Sequence, residues 1–350
     1  MKKDNIKLFY LIIGVLVVWC IVLSITSFGN NHSNNNTQIV NEYNVDGFST
    51  DFTKIVQDNK TSIVSINCNG AISSGFVYKQ ENEKVYILTS FHGLNGGVIN
   101  VSFNNLFTAY ATLVGKDIYS DLAVICVDSA YSIKPLVLGD STALKDGEFV
   151  ISIGTPSSFE YAGSVELGMV SSDTRVIENS ISFDGVTTDY YLDVIQLSAN
   201  LKPGYSGSPV LNMNGEVVGM VTMSIEDNIN FALTANEIKI IADNIISGNE
   251  YLRYHTGIKG SFINTMPTYV KSSLNLPIDL LDGLYVDKVL NGSIASLAEI
   301  QSGDVILSIN GIDITNLNNY LTVLYTKAEV LDFKVLRGEN TISLTVHIND

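Results

Sequence analysis

The chain has 350 residues, enough for two folded domains with appendages, and its 46% hydrophobic and 16% charged residues exclude a wholly disordered protein. A formal net charge of −16 with no basic stripe excludes a general phosphate-binding surface, so nucleic acid is not an expected partner.

Residues 8–25 form an uncharged, almost wholly apolar run of 18 residues, long enough as a helix to cross most of a hydrocarbon core. Lys2, Lys3 and Lys7 precede it and no charge follows until Glu42, which keeps the lysines cytoplasmic and the bulk of the chain outside. Residues 1–29 therefore read as a cytoplasmic stub and a single-pass transmembrane helix. The rival is a cleaved signal peptide, against which stand the length of the run and a poor small-residue pattern near Ser27. Trp19 before Cys20 fits a lipoprotein site badly. Residues 30–50, rich in asparagine, cannot bury enough apolar surface to order themselves and read as a tether.

Phe52, Ile55 and Val56 at helical spacing predict a short amphipathic helix. From 62 to 233 short β-rich runs alternate with glycine, asparagine and aspartate: 63–67, 75–78, 86–89, 98–103, 122–127, 149–153, 165–170, 190–197, 209–211, 217–222 and 231–233. Such spacing predicts an antiparallel barrel or sandwich. Cys68 and Cys126 fall inside predicted strands, where free buried thiols are expected over a bridge. Ile238, Ile241 and Ile245 predict a helix over 237–246 that closes this domain, assigned to 51–250. The segment 251–350 has its own strand–helix–strand pattern at 283–290, 293–300 and 303–311.

Within the β-rich region, Gly204-Tyr205-Ser206-Gly207-Ser208-Pro209 sets a serine between glycines in a tight turn. A serine hydroxyl is a poor nucleophile unless a base, and a group orienting that base, lie beside it. His92 ends one apolar strand and Asp121 opens another, which supplies both in the order His, Asp, Ser. No Cys-x-x-Cys or His-Glu-x-x-His occurs and the four histidines are scattered, so neither metal nor cofactor is expected.

The segments Thr89-Ser90-Phe91-His92, Asp121-Leu122-Ala123-Val124 and Gly204-to-Pro209 together resemble the HtrA/DegP family of trypsin-like serine proteases. The resemblance implies a chymotrypsin-like double antiparallel β-barrel followed by a small α+β PDZ domain. It implies a catalytic triad of His92, Asp121 and Ser206, with Gly204 and Ser206, assisted by Tyr205, donating backbone N–H groups to an oxyanion. A substrate pocket is expected, floored near Asn200 and walled by Met220, Val221 and Thr222. Asn200 is uncharged, which argues against selection of Lys or Arg and leaves small aliphatic residues as first choice. Ser208 and Tyr205 depart from the family's usual glycine and Asn or Asp.

For 251–350, the run Gly303-Asp304-Val305-Ile306-Leu307-Ser308-Ile309-Asn310-Gly311 is similar to a PDZ strand, and Thr256, Gly257 and Ile258 are expected to receive a peptide carboxylate. The implied partners are unfolded or misfolded envelope proteins and apolar C-terminal peptides. A homotrimer is also implied, with Phe48 and Phe52 placed to pack between subunits. The rival function is a catalytically silent peptide-binding chaperone or scaffold that works through the PDZ groove.

Overall fold

A computed structural model describes residues 52–103, 107–183, 186–225, 229–248 and 254–348. The expected anchor, the tether and Phe48 lie outside these residues. None of the described helices is long and apolar enough to cross a membrane.

Helix α1 (Phe52–Asn59) buries Ile55 and leads into the first barrel. That barrel contains β1 (Ile63–Cys68), β2 (Ala71–Glu81), β3 (Lys84–Ser90), β4 (Ile99–Phe103), β5 (Phe107–Asp117) and β6 (Leu122–Asp128), closed in the order β1-β2-β3-β6-β5-β4. The second contains β7 (Phe149–Gly154), β8 (Ser164–Phe183), β9 (Val186–Leu197), β10 (Pro209–Leu211), β11 (Val217–Ile225) and β12 (Ile229–Thr234), closed as β10-β11-β12-β9-β8-β7. Neighbouring strands in both are antiparallel. Closure removes the exposed sheet edges that would otherwise pair with other chains.

Because side chains alternate across a strand, each barrel has an inner and an outer apolar set. Val64, Ile66, Val85, Ile87 and Phe103 fill the first barrel. Val150, Ile195, Tyr205 and Val218 belong to a core in the second. The opposite faces of the same strands supply a third core, in which Ile63, Phe76 and Leu88 meet Ile151, Ile153, Leu192 and Met220. Helix α2 (Ala235–Ile246) seals that core with Ile238, Ile241 and Ile245, its N-terminus capped by the Thr234 hydroxyl. The Phe52 ring meets Phe149 edge-on with centroids 6.4 Å apart, so this aromatic, expected between subunits, is engaged inside its own chain. Cys68 and Cys126 are free thiols.

The C-terminal sheet has the order β13-β14-β15-β17-β18, with β16 attached to β15. Its elements are β13 (Ile258–Phe262), α3 (Thr268–Ser273), β14 (Leu284–Val289), α4 (Ile294–Leu297), β15 (Val305–Ile309), β16 (Ile312–Asp313), α5 (Leu317–Leu324), β17 (Val330–Arg337) and β18 (Asn340–His347). Ile306, Leu321, Leu331 and Phe333 form its core. The architecture is thus mainly β, two barrels and a further sheet, as the resemblance implied.

Candidate active site

Strand register brings the imidazole to the carboxylate. Strands β3 and β6 pair with Ser90 opposite Leu122, so one residue further His92's turn comes to lie against Asp121. The Phe91 N–H donates to the Asp121 carbonyl at 2.8 Å and the His92 N–H to Asp121 Oδ1 at 2.7 Å. Asp121 itself sits at φ +57°, a left-handed conformation that Asp tolerates better than most residues. The turn before it is held by the buried Asp117, whose carboxylate accepts from Tyr119 N–H at 3.1 Å and from the Ser120 hydroxyl at 2.7 Å.

His92 Nδ1 lies 2.6 Å from Asp121 Oδ2. A carboxylate at that nitrogen favours the tautomer protonated on Nδ1, which leaves the Nε2 lone pair free to take a proton. The hydrogen bond that His92 donates to Asp121 raises the His92 pKa above its ordinary 6.5, opposed by partial burial of the ring. The same Oδ2 accepts from the Thr222 hydroxyl at 3.2 Å. Thr222, expected in the substrate pocket, is buried and reaches the carboxylate from β11 of the other barrel.

The serine turn docks on the same corner. Strands β2 and β3 pair with Gly75 opposite Thr89, which sets Ser74 beside Ser90, two residues before His92. Ser74 N–H donates to the Ser206 carbonyl at 2.9 Å and Gly207 N–H to the Val221 carbonyl at 2.8 Å. Gly207 has φ +84°, and a Cβ there would lie 2.8 Å from Ser90 N and from Thr89 Oγ1. Only glycine permits this approach. Ser206 is thereby fixed at the seam between the barrels, though no hydrogen bond joins its hydroxyl to His92. Such bonds are often long in unliganded enzymes and tighten with substrate.

The peptides around Ser206 are oriented individually. The Pro203 carbonyl accepts from Ser157 N–H at 2.9 Å, and in a trans peptide this directs the Gly204 N–H the opposite way. Gly204 has φ +102°, and a Cβ would come within 2.8 Å of Ser157 N. The expected assistance from Tyr205 does not hold, because its N–H donates to the Lys202 carbonyl at 3.1 Å. The Tyr205 ring is instead 1% exposed in the second barrel's core. Its hydroxyl has no protein partner among the described residues, and burial, with the Glu166 charge, pushes its pKa upward. Ser208 is accommodated because its hydroxyl donates to the Tyr205 carbonyl and Gly154 opposite lacks a Cβ, which would collide with that hydroxyl.

Of the expected pocket residues, Asn200 is exposed. Its neighbours Ala199 and Leu201 are the buried ones, and the buried Asn230 donates to the Ala199 carbonyl at 2.7 Å. Met220 is packed in the core between the barrels and Val221 in that of the second barrel, as alternation along a strand demands. Sequence reasoning missed Ser74, Asn230 and the role of Thr222. No local motif marks these residues, since their partners come from remote strands.

In the C-terminal domain, Thr256, Gly257, Ile258 and Leu324 line a cleft together with Val176 and Asp193 of the β8–β9 hairpin. The loop is pinned by Ala295 N–H on the Thr256 carbonyl at 3.0 Å and Leu290 N–H on the Gly257 carbonyl at 2.9 Å. Thr256 shares a hydroxyl contact with Tyr320, and Gly257 has φ +72°. The Ile258 side chain belongs to the domain core.

Residues 73–220 match the trypsin-like peptidase domain family and residues 285–337 the PDZ domain family. Over 286 residues the chain is 32% identical to the serine protease Do-like HtrA of Bacillus subtilis, covering 79% of this chain and 63% of that protein. It is also 32% identical over 281 residues to serine protease Do-like HtrB of the same organism, covering 77% and 60%. The Do-like HtrA of Lactobacillus helveticus is 31% identical over 285 residues, covering 79% and 65%. The chain therefore spans about three-fifths of the length of these relatives. Among solved structures, the HtrA-type protease AlgW with tripeptide superposes with a TM-score of 0.60 at 23% identity, covering 85% of this chain and 96% of that one. The serine endoprotease from Yersinia pestis gives 0.53 at 22% identity, covering 85% and 97%. At such identities these structures establish the shared fold alone.

Proposed function

We propose that this chain, which matches a trypsin-like peptidase domain and a PDZ domain and is similar to Do-like HtrA proteases, is a serine endopeptidase of HtrA type. The observation that carries the proposal is Asp121, which holds both the N–H and Nδ1 of His92 and also accepts from Thr222 beside the Ser206 turn. Ser206 Oγ attacks the scissile carbonyl carbon and its proton passes to His92 Nε2. The oxyanion formed is stabilised by the Gly204 and Ser206 N–H groups. Collapse moves the proton from His92 to the leaving amine, and water, deprotonated by the same imidazole, releases the acyl group from Ser206. Asp121 keeps the imidazole oriented and stabilises its protonated form.

The substrates are unfolded or misfolded envelope and secreted proteins, with the cleft beside Thr256–Ile258 taking apolar C-terminal tails as a strand added to β13. The apolar run at 8–25 with its preceding lysines supports a single-pass anchor, N-terminus inside, that leaves the barrels outside the cytoplasm. A homotrimer is carried over from the family resemblance. Digestion of denatured casein by the full chain in detergent, with product termini sequenced, tests this reading. It requires cleavage after small aliphatic residues, abolished in Ser206→Ala. Folded wild-type protein that leaves denatured substrates intact, even with an apolar C-terminal peptide present, contradicts it and favours the scaffold.

A further inference from the structure

The Ser206 turn is hydrogen-bonded to the first barrel through one buried residue, Ser74. Ser74, in β2, is fully buried and every polar group it has is used. Its N–H donates to the Ser206 carbonyl at 2.9 Å, and its carbonyl accepts from Thr89 Oγ1 at 2.7 Å. Its hydroxyl donates to the Gly204 carbonyl at 2.7 Å and accepts from the Thr155 N–H at 2.8 Å. Thr155 is in turn held by Ser65 through a hydroxyl contact of 2.5 Å. The hydroxyl has room because Gly154 carries no Cβ, which would lie 2.9 Å from it.

The placement of these bonds matters more than their number. A trans peptide is a rigid plane, so fixing its carbonyl fixes its N–H. The Ser74 hydroxyl fixes the plane joining Gly204 to Tyr205, which turns the Tyr205 N–H toward Lys202 and away from the hole. The plane before it, Pro203 to Gly204, is fixed by Ser157. Gly204 is the hinge between the two planes, at a φ of +102° that it would otherwise leave easily. The first barrel thus fixes one side of a hinge whose other side carries the Gly204 N–H.

We propose that Ser74 is a positioning residue for the oxyanion hole: its hydroxyl holds the Gly204–Tyr205 plane while Ser157 holds the Pro203–Gly204 plane, and with both sides of the Gly204 hinge fixed the Gly204 N–H stays pointed at the carbonyl oxygen undergoing attack. This rests on the protease reading above and deepens it. Preorganised donors act where charge develops in the transition state, so their misalignment lowers kcat and leaves ground-state binding nearly untouched. A residue needed only for folding changes stability and leaves that selectivity intact.

The test uses the full chain with a chromogenic peptide substrate and a peptide boronic acid, whose tetrahedral adduct on Ser206 places an oxygen in the hole. Ser74→Ala is expected to lower kcat and weaken boronic acid binding by a similar factor, on the order of tenfold or more, with KM within about twofold. Ser74→Cys, which keeps a weak donor, falls between Ser74→Ala and wild type. Thr234→Ala, which removes a helix cap that makes no hydrogen bond to the turn, lowers the melting temperature and leaves the ratio of boronic acid affinity to KM unchanged. Where Ser74→Ala does not fold, Ser74→Cys is judged by the same ratio. An unchanged ratio in the folded Ser74 variant overturns the positioning role alone. Wild-type protein that neither cleaves the peptide nor binds the boronic acid overturns the protease reading as well.

Discussion

At the scale of single residues, the proposed chemistry depends on one carboxylate that bonds to both barrels. Asp121 raises the His92 pKa through a 2.6 Å hydrogen bond, and catalysis needs the imidazole neutral. Activity therefore rises with pH through a value above 6.5. The stability linkage has the opposite sense: the folded pKa is raised, so this pairing contributes fully below the unfolded value and is lost as pH rises through the folded one. Because the His92 side chain is 55% exposed, solvent screens that contribution. A pH profile of kcat/KM should place its acid limb above 6.5, and Asp121→Asn should lower kcat by about 10⁴-fold through loss of the correct tautomer. An acid limb at or below 6.5 in the wild type would remove the basis for this role. Tyr205 offers a separate check, since its buried hydroxyl lacks a protein partner among the described residues. Tyr205→Phe should be neutral or stabilising by about 1 kcal/mol in denaturant titrations. A loss of more than about 1 kcal/mol would show that the hydroxyl is satisfied after all.

At the scale of elements, what could be read from sequence and what could not divides along a physical line. The runs at 63–67, 122–127 and 149–153 announced β1, β6 and β7 because both faces of those strands are buried and their residues are almost continuously apolar. Strand β5 gave no such signal: its residues alternate between half-buried and exposed, with Tyr110, Leu113 and Val114 facing outward. The β8–β9 hairpin runs well beyond the apolar segments 165–170 and 190–197, because strand pairing continues where those apolar runs of the sequence stop. His92 and Asp121 were legible as strand ends. The support from Ser74 and Thr222 was not, for it depends on which remote strands come to lie together.

Helix α2 shows how an element can belong to more than one core. It follows the second barrel in sequence, yet Ile245 fits against Gly115 of the first, where a Cβ would lie 2.7 Å from Ile245 Cγ2. Asp243 accepts from the Tyr78 hydroxyl at 2.7 Å. Ile241 is completely buried, so Ile241→Ala should cost about 2–5 kcal/mol by loss of transfer energy and creation of a cavity. Denaturant unfolding checks this, and a cost under about 1 kcal/mol would mean that the helix is not integral to the seam between the barrels.

At the scale of the whole molecule, residues 51–350 form one compact unit. Ile240 of α2 packs on the C-terminal core, and Tyr325 packs against both that core and the one between the barrels, its hydroxyl 3.5 Å from Glu237 Oε1. The Tyr119 and His255 rings stack with centroids 5.3 Å apart. Tyr119 lies two residues before Asp121, and His255 lies next to the Thr256–Gly257 loop, so the cleft at that loop and the His92–Asp121 corner are joined by two short segments and one ring contact.

Two β-barrels meeting at a seam are useful for hydrolysis only if the meeting makes Ser206 more reactive than the other serines of the chain. The most direct measurement is mass-spectrometric mapping of the adduct formed when the folded full-length chain is treated with a fluorophosphonate. A single adduct on Ser206, forming faster as pH rises through the His92 pKa and absent in His92→Ala, is the predicted result. Modification spread over several serines, or none at Ser206 while the barrels remain folded, would contradict it.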